Sequence, residues 1–296
     1  MSGTGMKAVV VPDRMRDPYT FESILSLNDE ILKSGVIDMS RVDFIEPYSM
    51  VSLLLMGRNY LRQKGEKARI VNLPAHLAQY LQRMDFFKEG VFTVPETAVA
   101  GAALKRSSAS RRLIEITGIP NKERQSIEVI SSVIALFRKK APVILKFWMT
   151  DPVVDFFVTV ISELCQNIFE HSLDTGYLAL QTYRSGNENI ARLVISDSGI
   201  GIMKSFAGRP DIVYGSGAEL VEMALTQPIS SKREFGYGLC QVNSIAERLR
   251  GILFIRSESS SLTALYNRKD KTGKYMFHRN GLAYFGGTQI SISLSA

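Results

Sequence analysis

Two cysteines, three histidines and one tryptophan are all that 296 residues contain of these types, and the scarcity excludes several classes of protein. Two cysteines build no disulfide framework; Cys165 and Cys240 fall in segments read below as helices and are expected as buried thiols. Ligands for a structural zinc are missing. No stretch approaches the roughly 18 uninterrupted apolar residues of a membrane span, and the opening MSGTGMKAVVVPD has no basic segment followed by an apolar run. The expectation is a soluble, cytoplasmic protein. No G-x-x-x-x-G-K-[ST] occurs, and neither glycine pair completes G-x-G-x-x-G, because Lys204 and Gln241 occupy the final position. P-loop and Rossmann readings are thereby set aside.

What is present is ordinary for a folded chain, with 45% hydrophobic and 22% charged residues, and the length suits two domains. The net charge of +7 raises the question of nucleic acid. The densest basic group, Lys105, Arg106, Arg111 and Arg112, lies in a Ser/Ala-rich stretch with no aromatic residue for base stacking. A solvated linker is the better reading, and nucleic acid is not expected as a partner.

Residues 98–111, VAGAALKRSSASRR, carry no hydrophobic period and mark the domain boundary, giving domains over 1–97 and 112–296. Before it, period-two and period-3.6 segments alternate: strands at Lys7–Val11, Val36–Met39 and Ala68–Asn72, and helices over Phe21–Ser34, Ser49–Lys64 and Ala75–Met84. This is an α/β layer pattern. After it come a strand at Leu113–Thr117, helices over Lys122–Lys140 and Asp151–Ser172, strands at Leu178–Tyr183 and Ala191–Ser196, a helix over Gly238–Arg250, and strands at Ile252–Ser257 and Thr288–Leu294. In the last, Ile290, Ile292 and Leu294 alternate with serines, as in a strand with one buried face. The fold class is α/β, the second domain being a mixed sheet with helices on one face.

Three segments carry candidate chemistry. In Glu163-Leu-Cys-Gln-Asn167-Ile-Phe-Glu-His171 the three polar residues are four apart, so each is turned about 40° from the last and they share one helix stripe. Asn167 offers the neutral oxygen that Mg²⁺ accepts, Glu163 a carboxylate to orient or deprotonate a hydroxyl or water, and His171 a donor to phosphate. An ordinary polar helix face would have the same composition. In Asp197-Ser-Gly199-Ile-Gly201-Ile an acidic residue at a strand end precedes glycines that let the chain turn close to a ligand, which suits an acceptor for an adenine amino group. A glycine-rich β-turn is the alternative. Gly236-Tyr-Gly238-Leu239-Cys-Gln precedes a helix, where exposed amides and the helix dipole favour phosphate, unless the glycines serve only close packing.

The three segments resemble, in order, the N, G1 and G2 boxes of the GHKL ATPase superfamily, which includes the ATPase domains of histidine kinases and anti-sigma-factor kinases. The closing Gly286-Gly-Thr288-Gln-Ile resembles that family's last strand. The likeness spans about residues 150–296. It implies Glu163 as general base, Asn167 as the Mg²⁺ ligand, Asp197 and Thr288 at adenine, and Gly199, Gly201, Gly236 and Gly238 shaping the phosphate pocket beside Leu239 and His171. Met203–Phe235 would be the ATP lid, with Lys232 or Arg233 reaching a phosphate. Residues 36–87 resemble a STAS domain, the fold of anti-sigma-factor antagonists. Where that family often carries a phosphorylatable Ser after an acidic residue, Glu46 is followed here by Pro47, with Tyr48 and Ser49 beyond.

The resemblances imply an ATP- and Mg²⁺-dependent signalling regulator of the partner-switching type, a serine/threonine kinase acting on a STAS or sigma-factor-related protein. A plain ATPase and a non-catalytic ATP sensor are the alternatives, and a homodimer is compatible with each. A histidine kinase is disfavoured, because His76, His171 and His278 all lie outside the Lys122–Lys140 helix.

Overall fold

The computed structural model describes residues 7–95, 112–120, 127–146, 148–171, 175–231, 238–266 and 275–295, with the side chains of Ile127, Glu170 and His171 left aside. The chain forms two compact units, Met1–Ala109 and Ser110–Ala296. The expected linker over 98–111, with its basic group, falls outside the described residues.

The first unit runs β1 (Val9–Val10), β2 (Arg14–Met15), α1 (Pro18–Leu25), α2 (Asn28–Ser34), β3 (Val36–Asp38), β4 (Phe44–Ile45), α3 (Pro47–Lys64), β5 (Ala68–Val71), α4 (Ala75–Arg83) and, after a 3₁₀ turn, β6 (Phe92–Thr93). Strands β1, β3, β5 and β6 make a parallel sheet in that order, and β2 pairs β4 in parallel. The single helix expected over Phe21–Ser34 is two. Pro18 starts α1 early as its first residue, and Asp17 caps it, its carboxylate accepting from Thr20 N–H at 2.8 Å. It ends where Leu27 N–H bonds back to Ile24 O at 3.0 Å and the Ser26 hydroxyl takes Ser23 O, tightening the last turn.

Helix α3 likewise begins before Ser49, at Pro47, where a missing N–H costs nothing. Every residue from Pro47 to Gly57 is buried, so this half of the helix is enclosed on all sides. Leu53, Leu54 and Leu55 are fully buried, each contributing about 1.5–3 kcal/mol by leaving water. Gly57 meets the Phe92 ring so closely that a Cβ would lie 2.5 Å from it, and Gly57→Val would push β6 away.

The second unit runs β7 (Leu113–Ile119), α5 (Ile127–Leu145), α6 (Asp151–His171), β8 (Gly176–Ser185), β9 (Glu188–Ser196), α7 (Ile202–Phe206), α8 (Gly217–Thr226), α9 (Gly238–Arg248), β10 (Ile252–Glu258), β11 (Ser260–Leu265), β12 (Met276–Arg279) and β13 (Phe285–Ser295). Its seven strands are ordered β12-β11-β10-β13-β9-β8-β7. Every neighbouring pair is antiparallel, which corrects the mixed sheet expected from the sequence. Two consecutive helices between β7 and β8 return the chain to the end where β7 stopped, and tight turns join β8 to β9 and β10 to β11. Strands β11 and β12 were not anticipated, because buried Ser260, Ser261 and Thr263 read as loop residues in a sequence.

One face of this sheet, carrying Leu180, Leu193, Ile195, Leu253, Ile255 and Ile292, shares its core with α5, α6, α8 and α9 through Phe137, Phe157, Ile161, Leu164, Val221 and Ile245. Helix α6 is the one described helix long and apolar enough to cross a membrane, over Asp151–Phe169, and its Val154, Phe157, Val160 and Ile161 are packed into that core. Helix α5 runs past the expected end at Lys140 to Leu145, taking Pro142 into its last turn. Both cysteines are free thiols. Cys165 is buried, which pushes its thiol up to about 12. Cys240 is half-buried rather than buried, and its thiol donates to Gln227 O at 2.8 Å.

Candidate functional site

The second unit brings the ends of α6, β9, β10 and β13 together. Asp197 follows the last residue of β9, and Thr288 lies across from it on β13, where the Asp197 N–H bonds to Thr288 O at 3.0 Å. The Asp197 carboxylate accepts from Gly199 N–H at 2.6 Å, closing the turn that the glycine permits. Burial raises this carboxyl from 3.8 to about 6, partly offset by the amides of Gly199 and Thr288. The residue as a whole is half-buried, at the edge of the sheet end, and its carboxyl is held in a poorly solvated place.

Glycine is required at two places around that carboxylate. Gly287 has φ +79°, and a Cβ there would lie 2.1 Å from Asp197 O. Gly201 has φ +81°, and its Cβ would lie 2.6 Å from Glu258 Cγ. Any other residue at either position would be strained in backbone and blocked in space.

Helix α6 presents Glu163 and Asn167 exposed on the stripe that the spacing predicts, while Leu164, Cys165 and Phe169 are buried on the other side. Ile168 joins this helix to the Asp197 turn, for a Cβ on Gly176 would meet Ile168 Cγ2 at 2.7 Å and Asp197 Cβ at 3.4 Å. Asn167 faces the start of α9, its Nδ2 standing 3.5 Å from the Cβ position of Gly238. Leu239 is half-buried against the core. The helix segment, the Asp197 turn and the glycine-led helix are therefore one continuous neighbourhood. Lys232, Arg233 and Gly236 lie outside the described residues, and of His171 only the backbone, at the end of α6, is described. The stretch Met203–Phe235 contains α8 and most of α7, two helices not anticipated. Among the described residues no group of three or more His, Cys, Asp or Glu side chains is placed to hold a metal. Asn167, exposed on α6, offers an amide oxygen of the kind a hard divalent cation accepts.

Comparison of the chain with models of protein families, and with curated protein sequences, finds no significant match.

Three further residues complete the neighbourhood. Ser257, at the end of β10, accepts from Ile202 N–H at 2.8 Å, donates to Gly287 O at 3.2 Å and stands 3.5 Å from the Thr288 hydroxyl. Gln289 donates from Nε2 to Asp197 O at 3.2 Å and to Gly286 O at 2.9 Å, tying the Asp197 turn to β13. Glu258, 4% exposed, lies beneath Gly201. Ser257 and Glu258 stand in no recognisable motif, and Gln289 lies within the Gly286-Gly-Thr288-Gln-Ile segment without being singled out there. The one sequence signal was the pair Gly286-Gly287, which marks a close backbone approach.

Proposed function

We propose that the C-terminal unit is a GHKL-type domain that binds Mg-ATP, of the anti-sigma-factor-kinase kind. The N-terminal unit would be a STAS-like module, and the whole a cytoplasmic partner-switching regulator acting on a protein of the STAS or sigma-factor type. The observation that carries this reading is the meeting of a half-buried carboxylate at a strand end, Asp197 beside Thr288, with an exposed amide, Asn167, at the glycine-led start of α9.

In this reading Asp197 accepts from the adenine amino group, a role for which it must be ionised, and Thr288 supports it through the shared backbone bond. The N-terminal amides of α9, an eleven-residue helix, receive the phosphates with the help of its dipole. Asn167 holds the Mg²⁺ that neutralises them. Glu163, one turn before Asn167 and exposed, takes the proton of an attacking hydroxyl. Phosphoryl transfer needs mainly such positioning and charge neutralisation.

The first unit favours docking over a phosphorylation switch in its own chain. Pro47 begins α3, Tyr48 is 3% exposed and Ser49 fully buried, so neither hydroxyl nearby is open to a kinase. Autophosphorylation on histidine has no support either, since His76 bonds Asp43 O, His278 pairs with Glu222 at 2.6 Å, and α5 carries no histidine.

The test is incubation with γ-labelled ATP and Mg²⁺, alone and with STAS proteins. Label on a partner's serine identifies a kinase, phosphate release alone an ATPase, and binding without either a sensor. Absence of Mg-ATP binding at millimolar concentration would overturn the reading.

A further inference from the structure

The turn that joins β10 to β11 carries a buried acid for which the proposed chemistry has no use. Glu258 is 4% exposed at the sheet end, where an unbonded carboxylate would be costly. Its Oε2 accepts from Lys204 N–H at 3.4 Å, and its Oε1 lies 3.9 Å from Lys204 Nζ. Gly201 sits directly over the side chain, with no room for a Cβ. The carboxylate is thus wedged beneath the loop that leads from Asp197 into α7.

The backbone at Glu258 is also held in an expensive shape. Its φ is +54°, in the left-handed region that a glutamate rarely occupies. Arg256, fully buried and stacked 5.8 Å from the Phe285 ring, fixes the turn by donating to Glu258 O at 2.6 Å and to Ala283 O. Ser257 adds its bond to Ile202 N–H from the preceding position. A glycine at 258 would adopt this φ at no steric cost, so the presence of a glutamate points to a use for its side chain.

We propose that Glu258 is a positioning residue for the nucleotide-base pocket, bracing the turn from Gly199 into the first residues of α7 so that the Asp197 carboxylate stays aimed at the base. This rests on the nucleotide-binding reading above. Glu258 touches no ligand itself and acts through Gly201 and Lys204.

The full-length protein and its E258G, E258D and E258Q variants test this by amide hydrogen exchange without ligand and by calorimetric titration with Mg-ATP. E258G removes the wedge while relieving the strained φ. Its amides from Gly199 to Lys204 should exchange about tenfold faster with the rest of the unit unchanged, and its affinity for Mg-ATP should fall about tenfold. E258Q, which keeps the length and the acceptor for Lys204 N–H, should stay within about threefold of the parent. Should E258G lose its fold, E258D carries the test, because it keeps the charge and withdraws it by one methylene. Unchanged exchange in the loop overturns the proposal, and so does faster exchange with unchanged affinity. If the parent protein binds no Mg-ATP, the nucleotide reading falls and this inference falls with it, an outcome distinct from a parent that binds and a variant that binds equally well.

Discussion

The two units treat their polar groups in opposite ways where a helix begins. In the first unit the start of α3 is closed: Glu46 is 4% exposed, Ser49 and Ser52 are fully buried, and the Ser49 and Ser52 hydroxyls have no hydrogen-bond partner among the described residues. In the second unit the polar groups are less enclosed, with Asp197 half-buried, Asn167 exposed and α9 starting on a glycine. A helix start becomes a ligand site when backbone and carboxylate are left accessible and small residues clear the approach. The same geometry enclosed by side chains is a packing joint.

The sharpest way to break this comparison is at Gly287. Gly287→Ala forces a Cβ onto Asp197 O in a left-handed backbone and should destabilise the second unit by about 3 kcal/mol or more, read as a lower urea midpoint. A midpoint within error of the parent would mean that the β13 turn is not the tight joint described.

Asp197→Asn should separate binding from stability. The amide keeps an acceptor for Gly199 N–H but presents the wrong partner to a base amino group, so Mg-ATP affinity should drop about 100-fold. The free protein should at the same time melt higher near pH 8, by about 2–4 °C, because a charge held in a poorly solvated place is gone. The sign follows from the folded carboxyl lying at about 6, above its ordinary 3.8. The folded state binds the proton more tightly, so this group's stabilising contribution is complete below pH 3.8 and is lost as pH rises through about 6. Nucleotide affinity should run the other way, rising with pH through about 6 as Asp197 ionises. Equal melting temperatures together with unchanged affinity would remove Asp197 from the site.

If Asn167 supplies the metal's protein oxygen as proposed, Asn167→Ala should weaken Mg-ATP by about tenfold while leaving binding of metal-free ATP nearly unchanged. Equal losses with and without Mg²⁺ would reassign Asn167 to a direct phosphate contact. The smallest effect belongs to the closed helix start. Ser49→Ala removes a buried hydroxyl that bonds no group among the described residues and should change stability by about 1 kcal/mol or less, in the stabilising direction. It should leave label transfer untouched. A large loss of either would show that α3 begins at a functional site after all.

Much of the second unit was legible in the sequence, and for stated reasons. Helix α6 announces itself by an apolar period with a polar stripe, and β13 by strict alternation, because each pattern depends only on residues near in sequence. Asp197, the glycines after it and Asn167 were visible because each is an unusual residue at the edge of a regular element. The breaks between α1 and α2, the strand β11 and the helices α7 and α8 were not visible, since short elements with serine or mixed composition carry no period. An all-antiparallel sheet also had to await the structure, because the direction of each strand depends on how many elements return the chain between neighbours.

By itself, then, the sequence determined which segments could carry chemistry: the Glu163–Asn167 stripe, the turn at Asp197 and the glycines before α9. Only the tertiary structure decided what surrounds them. Ser257 reaches Ile202 across 55 positions and Gln289 reaches Asp197 across 92, while Glu258 packs against Gly201 from another strand. These partners follow from β13 lying between β9 and β10 in a particular register, which no local pattern encodes. The candidate residues are written in short stretches of chain, and their placement is set by which strands lie side by side.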